Sequence, residues 1–271
     1  MEPAQLKKIA KEIRIDILKM IDAAGSGHPA GSLGMTDVFT ALYFSVLNHN
    51  SKKPLSENRD YLILSNGHIC PILYATLAKA GYFKKSELNT LRQLGSRLQG
   101  HPHAASLPGV ENSSGPLGQG FSFACGLALG LKIDKKKNKI YCLMSDGEQQ
   151  EGQTWESYMF ASKYNLNNLI GIIDRNNIQI SGNIKNIMPL ESLRTKLIGF
   201  GLEVLEINGH DFNDIINTLN TVKSNQQKPV MIIANTTPGK GISFMENDFT
   251  WHGKTPNSRQ LTQALKELNA N

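Results

Sequence analysis

Residues 139–182 read K-I-Y-C-L-M-S-D-G-E-Q-Q-E-G-Q-T-W-E-S-Y-M-F-A-S-K-Y-N-L-N-N-L-I-G-I-I-D-R-N-N-I-Q-I-S-G. Ile140 to Met144 is an apolar run of strand length, stopped by Ser145-Asp146-Gly147. From Gln153 to Tyr164 the spacing turns helical, with Trp155, Met159 and Phe160 recurring on one side. Leu169 to Ile173 is a second apolar, β-branched run, stopped by Asp174-Arg175-Asn176-Asn177. Strand, helix and strand in this order predict a βαβ unit with a right-handed crossover. Both polar turns then fall at the carboxyl ends of neighbouring strands, where open α/β sheets take ligands.

Asp146 offers a carboxylate and Asn176 an amide oxygen. These are hard ligands, suited to Mg²⁺ or Ca²⁺ rather than to a soft metal. The amides that open the helix after Gly147 are expected to face a phosphate, and the helix dipole favours an anion there. The residues alone point to a diphosphate held by a metal and a helix start. D-G and N-N are also ordinary turn pairs, so a plain βαβ turn stands beside that reading.

Working outward, residues from about Pro3 to Ala24 carry helical apolar spacing and end in the turn Gly25 to Ser32, too glycine-rich for a helix. Met35 to Leu47 reads as a second helix, capped by Thr36 with Asp37 in its first turn. A strand follows at about Tyr61 to Ser65, then Ser65-Asn66-Gly67-His68, a helix to Ala80 and a short one from Ser86 to Leu94. Gly115-Pro116-Leu117-Gly118-Gln119-Gly120 opens a small-residue helix to Leu131, whose Ala124, Gly126, Ala128 and Gly130 suit close packing at a subunit interface. Past the central unit come a helix from Leu190 to Phe200, a strand from Leu202 to Ile207, a helix from Phe212 to Lys223 and a strand from Val230 to Ala234. A loop with Trp251-His252-Gly253 and a polar terminal helix close the sequence. At least five short strands alternate with helices, which predicts an α/β fold: a parallel β-sheet with helices on both faces.

The 271 residues suffice for one large α/β domain. The net charge is +6, but the run Lys132 to Lys137 reads as a solvated loop without the interleaved aromatics that nucleic-acid binding needs. No segment is apolar enough to span a membrane, and the N-terminus is a charged amphipathic helix without a signal-peptide core. Cys70, Cys125 and Cys142 are scattered in apolar context, as reduced core residues of a cytoplasmic protein would be.

Four of the seven histidines, His28, His68, His101 and His252, sit in turns beside Gly or Pro. Histidine titrates near neutral pH, so such a set suits proton transfer at sugar hydroxyls. His68 also precedes a helix, good ground for phosphate. His103 reads as surface. Lys240 in G-K-G reads equally as a phosphate contact or as a solvated loop lysine.

The aspartate-glycine turn followed about 30 residues later by an asparagine pair resembles the thiamine diphosphate motif. With G-S-G-H-P-A-G-S-L, L-S-N-G-H, G-H-P, G-P-L-G-Q-G and W-H-G in order, the chain is similar to transketolases from about Ala10 to Pro256. The resemblance implies the diphosphate-binding (PP-type) domain of that fold across residues 1–271. It also implies thiamine diphosphate and Mg²⁺ (or Ca²⁺) as cofactors, and transfer of a two-carbon ketol unit between sugar phosphates. It implies Asp146, Asn176 and the carbonyl of Ile178 as metal ligands. His68 and His252 are expected at the diphosphate, with His252 also near substrate, and His28 and His101 at substrate hydroxyls, with His28 a candidate for proton transfer; His28, His101 and His252 are the expected catalytic residues. Gly115, Pro116 and Leu117 are expected at the thiazolium. Ser145, Gly147 and Glu148 are expected around the diphosphate, and Glu151 at the coupling of two sites across a dimer. The family's first motif glycine is Ser145 here. If only the backbone amide is used, serine serves, provided φ is negative.

The resemblance also places the carboxylate that activates the aminopyrimidine on a following domain. The expected partner is a separate pyrimidine-binding, C-terminal subunit in an α2β2 assembly. The rivals are a subunit of another thiamine-dependent enzyme, of the 1-deoxyxylulose-phosphate synthase or 2-oxoacid dehydrogenase type, and a non-catalytic scaffold that keeps the cofactor pocket.

Overall fold

The computed structural model describes residues 1–270. Helix α1 spans Pro3–Ala24, with Pro3 in its first turn and Gly25 closing it at φ 64°. Then follow α2 (Pro29–Gly34), α3 (Thr36–Ala41) and a π-helical turn, Leu42–Val46. Strand β1 (Tyr61–Leu64) leads to α4 (Cys70–Lys79), and α5 (Gln119–Ile133) to β2 (Ile140–Ser145). The central unit is β2, α6 (Gly152–Lys163) and β3 (Leu169–Arg175). Two short strands, β4 (Ile178–Gln179) and β5 (Gly182–Asn183), form a hairpin before α7 (Ile184–Ile187) and α8 (Leu193–Gly199). Strand β6 (Glu203–Asn208), α9 (Phe212–Asn225), β7 (Val230–Asn235) and α10 (Ser258–Ala270) complete the chain.

The main sheet has the order β1-β2-β3-β7-β6, and every pairing is parallel. Side chains alternate across it. Tyr141 and Leu143 of β2, Ile170 and Ile172 of β3, and Val230 and Ile232 of β7 pack on one face with α1, α3, α4 and α9. Cys142, Met144, Leu169, Ile173, Met231 and Ile233 pack on the other with α5, α6 and α8. Both faces being covered explains why these strands read as continuous apolar runs. The register sets Ser145 beside Asp174, and Asp174 beside Ala234. The polar ends of β2, β3 and β7 are therefore level with one another.

Several local expectations change. The turn Gly25–Ser32 is partly helical, because α2 begins at Pro29. The glycines of α2 serve packing: a Cβ on Gly31 would sit 2.8 Å from Ile69 Cγ2, and one on Gly34 3.0 Å from the Thr237 carbonyl oxygen. Thr36 is not a cap; its buried hydroxyl donates to the Ser32 carbonyl at 2.9 Å. The helix expected from Met35 to Leu47 divides into α3 and the π turn. The segment after Ser86 is a 3₁₀ turn, Lys85–Thr90. On α6 the buried face is Thr154, Ser157, Tyr158 and Ala161, whereas Met159 is exposed. On α5 the expected small residues split: Ala124 and Ala128 are buried in the core, while a Cβ at Gly126 or Gly130 would meet nothing within 4 Å, so only the glycine side is open in this chain.

Candidate active site

At the carboxyl ends of the strands lies a cleft of about 440 Å³. His28, His68, His101, Gly115, Leu117, Ser145, Gly147, Glu151, Asn176, Ile178 and His252 all line it. Chain segments far apart in sequence thus converge on one place.

Three histidines form its wall. The His28 ring centroid is 5.2 Å from that of His68 and 5.6 Å from that of His252, and His68 and His252 are 5.2 Å apart. His28 is held at the start of α2, where Pro29 follows it, and His68 lies in the 3₁₀ turn Gly67–Ile69 ahead of α4. Burial lowers all three pKa values, and the neighbouring imidazoles lower those of His28 and His68 further; His28 falls to about 4. At neutral pH the rings are uncharged, so each keeps a nitrogen lone pair able to accept a proton. His28 Nδ1 is buried and lacks a partner, as expected of a group awaiting a ligand. His101 is more exposed, and burial together with Arg92 lowers its pKa.

The cation ligand candidates meet at the ends of β2 and β3. Asp146 is fully buried; its Oδ1 accepts the Gly147 N–H at 2.8 Å and its Oδ2 the Asn177 N–H at 2.6 Å. Asn177 itself adopts the left-handed conformation, φ 64°, which turns the chain sharply after this amide. Asn176 Oδ1 accepts the Ile178 N–H at 3.0 Å, while its Nδ2 donates to Asp174. Desolvation, then the buried Asp174, push the Asp146 pKa up to about 8. The nearest ion-pair partner of Asp146, Arg175, stands 4.0 Å away and has an unpartnered Nη1. Two buried carboxylates so weakly compensated form a pocket short of positive charge. A carboxylate, an amide and a carbonyl are the oxygen donors a hard divalent cation takes. No group of three or more His, Cys, Asp or Glu among the described residues is placed to hold a metal. The residues present therefore fit a diphosphate with a hard cation.

Three expectations are corrected here. The amides after Asp146 are not free: Gly147 N–H donates to Asp146, Glu148 N–H to Ser145 Oγ and Gln149 N–H to the Asp146 carbonyl. They sit in a 3₁₀ turn, and α6 begins only at Gly152. The histidines that line the cleft offer ring N–H donors to an anion instead. Glu148 does not face the cleft. It is fully buried and accepts from Ser65 Oγ, from Gly118 N–H at 2.7 Å and from Ser145 N–H at 3.2 Å, so it ties three loops together. Pro116 is exposed and lies outside the lining, unlike Gly115 and Leu117 on either side. His103 is exposed, and Lys240 pairs with Glu246 at 3.3 Å in a separate groove. Ser145 has no positive φ, the condition under which it can stand for glycine.

The β4–β5 hairpin is a part of the site that the sequence does not announce. Its Gln179, Ile180 and Ser181 roof the cleft, and Gln179 accepts from Gln150 at 2.9 Å. Alternation over so few residues is too short to detect. Asp174 and Thr236, which lie behind the cation ligands, read in the sequence only as turn residues.

The family described as transketolase, thiamine diphosphate binding domain, matches residues 5–271. The chain is 39% identical to an apulose-4-phosphate transketolase subunit of Phocaeicola vulgatus, over 99% of this chain and 95% of that one. It is 40% identical to a 6-deoxy-6-sulfo-D-fructose transketolase subunit of a Clostridium species, over 97% and 96%. Against the human transketolase it is 34% identical and spans 42% of that protein. The Campylobacter jejuni transketolase structure superposes with a TM-score of 0.94 at 36% identity, over 99% of this chain and 43% of that one. Motif, cleft and comparisons agree: the chain belongs to the transketolase family, as its thiamine diphosphate binding domain.

Proposed function

We propose that this chain is the diphosphate- and cation-binding subunit of a two-chain transketolase. Residues 1–271 act as one cofactor-binding domain, and a separate pyrimidine-binding subunit completes the site, two copies of each. The observation that carries the reading is the convergence of His28, His68 and His252 with Asn176 and Ile178 in one cleft, with Asp146 buried at its floor. Support for the two-chain form comes from relatives of equal length that are named as subunits, beside full-length transketolases more than twice as long.

Thiamine diphosphate, when bound, supplies the carbanion chemistry of ketol transfer. Asp146, Asn176 and the Ile178 carbonyl would hold Mg²⁺ or Ca²⁺ against the diphosphate, and His68 and His252 would donate to its oxygens. His28, neutral and with a free Nδ1, accepts the proton of a substrate hydroxyl and returns it to the next substrate. His101, at the exposed rim, holds a second hydroxyl. Gly115 and Leu117 line the thiazolium side, and Glu151, exposed at the start of α6, faces the subunit contact. The sugars carry a terminal anion, in keeping with the phosphate and sulfonate in the relatives' names. The enzyme works in the cytoplasm, in keeping with three buried free thiols; no helix among the described residues is long and apolar enough to cross a membrane.

The test is reconstitution of the chain with the pyrimidine-binding subunit, followed by assay of two-carbon transfer from ketose phosphates. Activity only in the mixture is expected. Full activity of the chain alone, or decarboxylation of pyruvate by the mixture, would overturn the proposal.

A further inference from the structure

Asn176 presents an amide, and an amide can face a cleft with its oxygen or with its nitrogen. Only the oxygen can hold a cation. The Ile178 N–H fixes one end of the amide by donating to Oδ1 at 3.0 Å; the other end is fixed one layer deeper. Asn176 Nδ2 donates to Asp174 Oδ2 at 2.7 Å. Asp174 is 1% exposed, and its other oxygen accepts the Thr236 hydroxyl. A buried carboxylate is an acceptor only, so together with the Ile178 N–H it sets the NH₂ of Asn176 inward and Oδ1 outward.

The arrangement is unusual for its lack of a countercharge. Both Asp174 oxygens are occupied by neutral donors, and no Lys, Arg or His among the described residues forms an ion pair with it. Burying an uncompensated carboxylate destabilises a fold by several kcal/mol in general. A neutral Asn could keep both contacts, its oxygen accepting from Asn176 and its NH₂ donating to the Thr236 hydroxyl, which can turn to accept. The charge therefore needs a reason outside the apo fold.

Thr236 is itself anchored. Its N–H donates to the Arg175 carbonyl at 3.3 Å, and the next amide, Thr237 N–H, donates to His210 Nε2 at 2.8 Å. Because Nε2 accepts, the proton of His210 is on Nδ1, which lies 2.8 Å from Asp37 Oδ2. The same Asp37 oxygen takes Arg14 at 2.6 Å. A continuous set of contacts thus runs from α1 through α3 to the end of β7 and on to Asn176.

We infer that Asp174, fixed by Thr236, is a positioning residue for the cation site: it turns the Asn176 oxygen toward the cation and adds a second negative charge behind it. The inference rests on the cation reading of the cleft. Partners one layer behind a ligand typically change metal affinity by about 10- to 100-fold when altered.

The test is Mn²⁺ binding in the presence of thiamine diphosphate, followed by the loss of the free Mn²⁺ electron paramagnetic resonance signal. It uses the full chain with its partner subunit, and urea unfolding of the chain is measured in parallel. D174N can accept from Asn176 and donate to the Thr236 hydroxyl, so it keeps both neighbours with the second bond reversed, and removes the charge. It is expected to bind Mn²⁺ about tenfold more weakly or worse, while its urea midpoint without metal stays equal or rises. T236V is expected to weaken Mn²⁺ binding, and T236S to restore it. Wild-type Mn²⁺ affinity in D174N would overturn the inference alone. A loss of affinity matched by an equal loss of stability would assign Asp174 to structure and overturn it as well. If the wild type takes up no Mn²⁺, the cation reading itself fails.

Discussion

Glu148→Gln is the substitution whose effect can be worked most fully. Three donors, Ser65 O–H, Gly118 N–H and Ser145 N–H, converge on the Glu148 carboxylate, and no acceptor faces it. Glutamine has one oxygen and one NH₂. Its best placement keeps the oxygen on Ser65 and Gly118 and sets NH₂ against the Ser145 N–H. One buried N–H then loses its partner, at about 1–3 kcal/mol. The two surviving bonds fall from charge-assisted to neutral, at about 1 kcal/mol each. Burial, which raises the Glu148 pKa, acts in the opposite sense, since the amide has no charge to desolvate. The balance is a loss of about 2 kcal/mol, or roughly 5 °C in Tm for a chain of this size. Because Gly118 adjoins Leu117 in the cleft wall, thiamine diphosphate affinity should also drop. Calorimetric unfolding and cofactor titration read both effects. A variant with wild-type Tm and affinity would refute the view that Glu148 ties these loops together.

Gly120→Ala should destabilise by about 1–3 kcal/mol in urea titration, because the new Cβ would lie 2.5 Å from Ser65 Cα, backbone that cannot swing aside. Ser145→Gly should cost about 1 kcal/mol, since the Oγ that accepts the Glu148 N–H at 3.2 Å is lost, while cofactor affinity measured by calorimetry stays unchanged. The histidines set a pH dependence. His28, His68, His101 and His252 all have folded pKa values below the unfolded value near 6.5, so the unfolded chain binds more protons in that window. Their contribution to stability is therefore complete above about pH 6.5 and is lost as pH falls toward 4. Urea midpoints at pH 7.5 and 5 should show the decline, and His28→Asn should flatten it.

The sheet was legible because its strands are covered on both faces. Ile140–Met144 and Leu169–Ile173 had to be apolar at every position, and such runs stand out. The site was legible where function needs a particular chemistry beside a glycine or proline, as at His28, His68 and His252. Tertiary contact hid the rest. Helix α2 forms from a glycine-rich stretch because its small residues press on the loop after β7, which is distant in sequence. Glu148 and Glu151 are alike in the sequence, yet one is fully buried and the other exposed. Asp174 reads as a turn aspartate until its two neutral donors, Asn176 just after β3 and Thr236 just after β7, are seen around it.

The most direct test of the account is thiamine diphosphate binding by calorimetry, with and without Mg²⁺, to the chain combined with its pyrimidine-binding subunit. The account predicts tight binding that requires the cation and is abolished in Asp146→Ala and strongly weakened in Asn176→Ala. Cation-independent binding, or unchanged affinity in both variants, would contradict it.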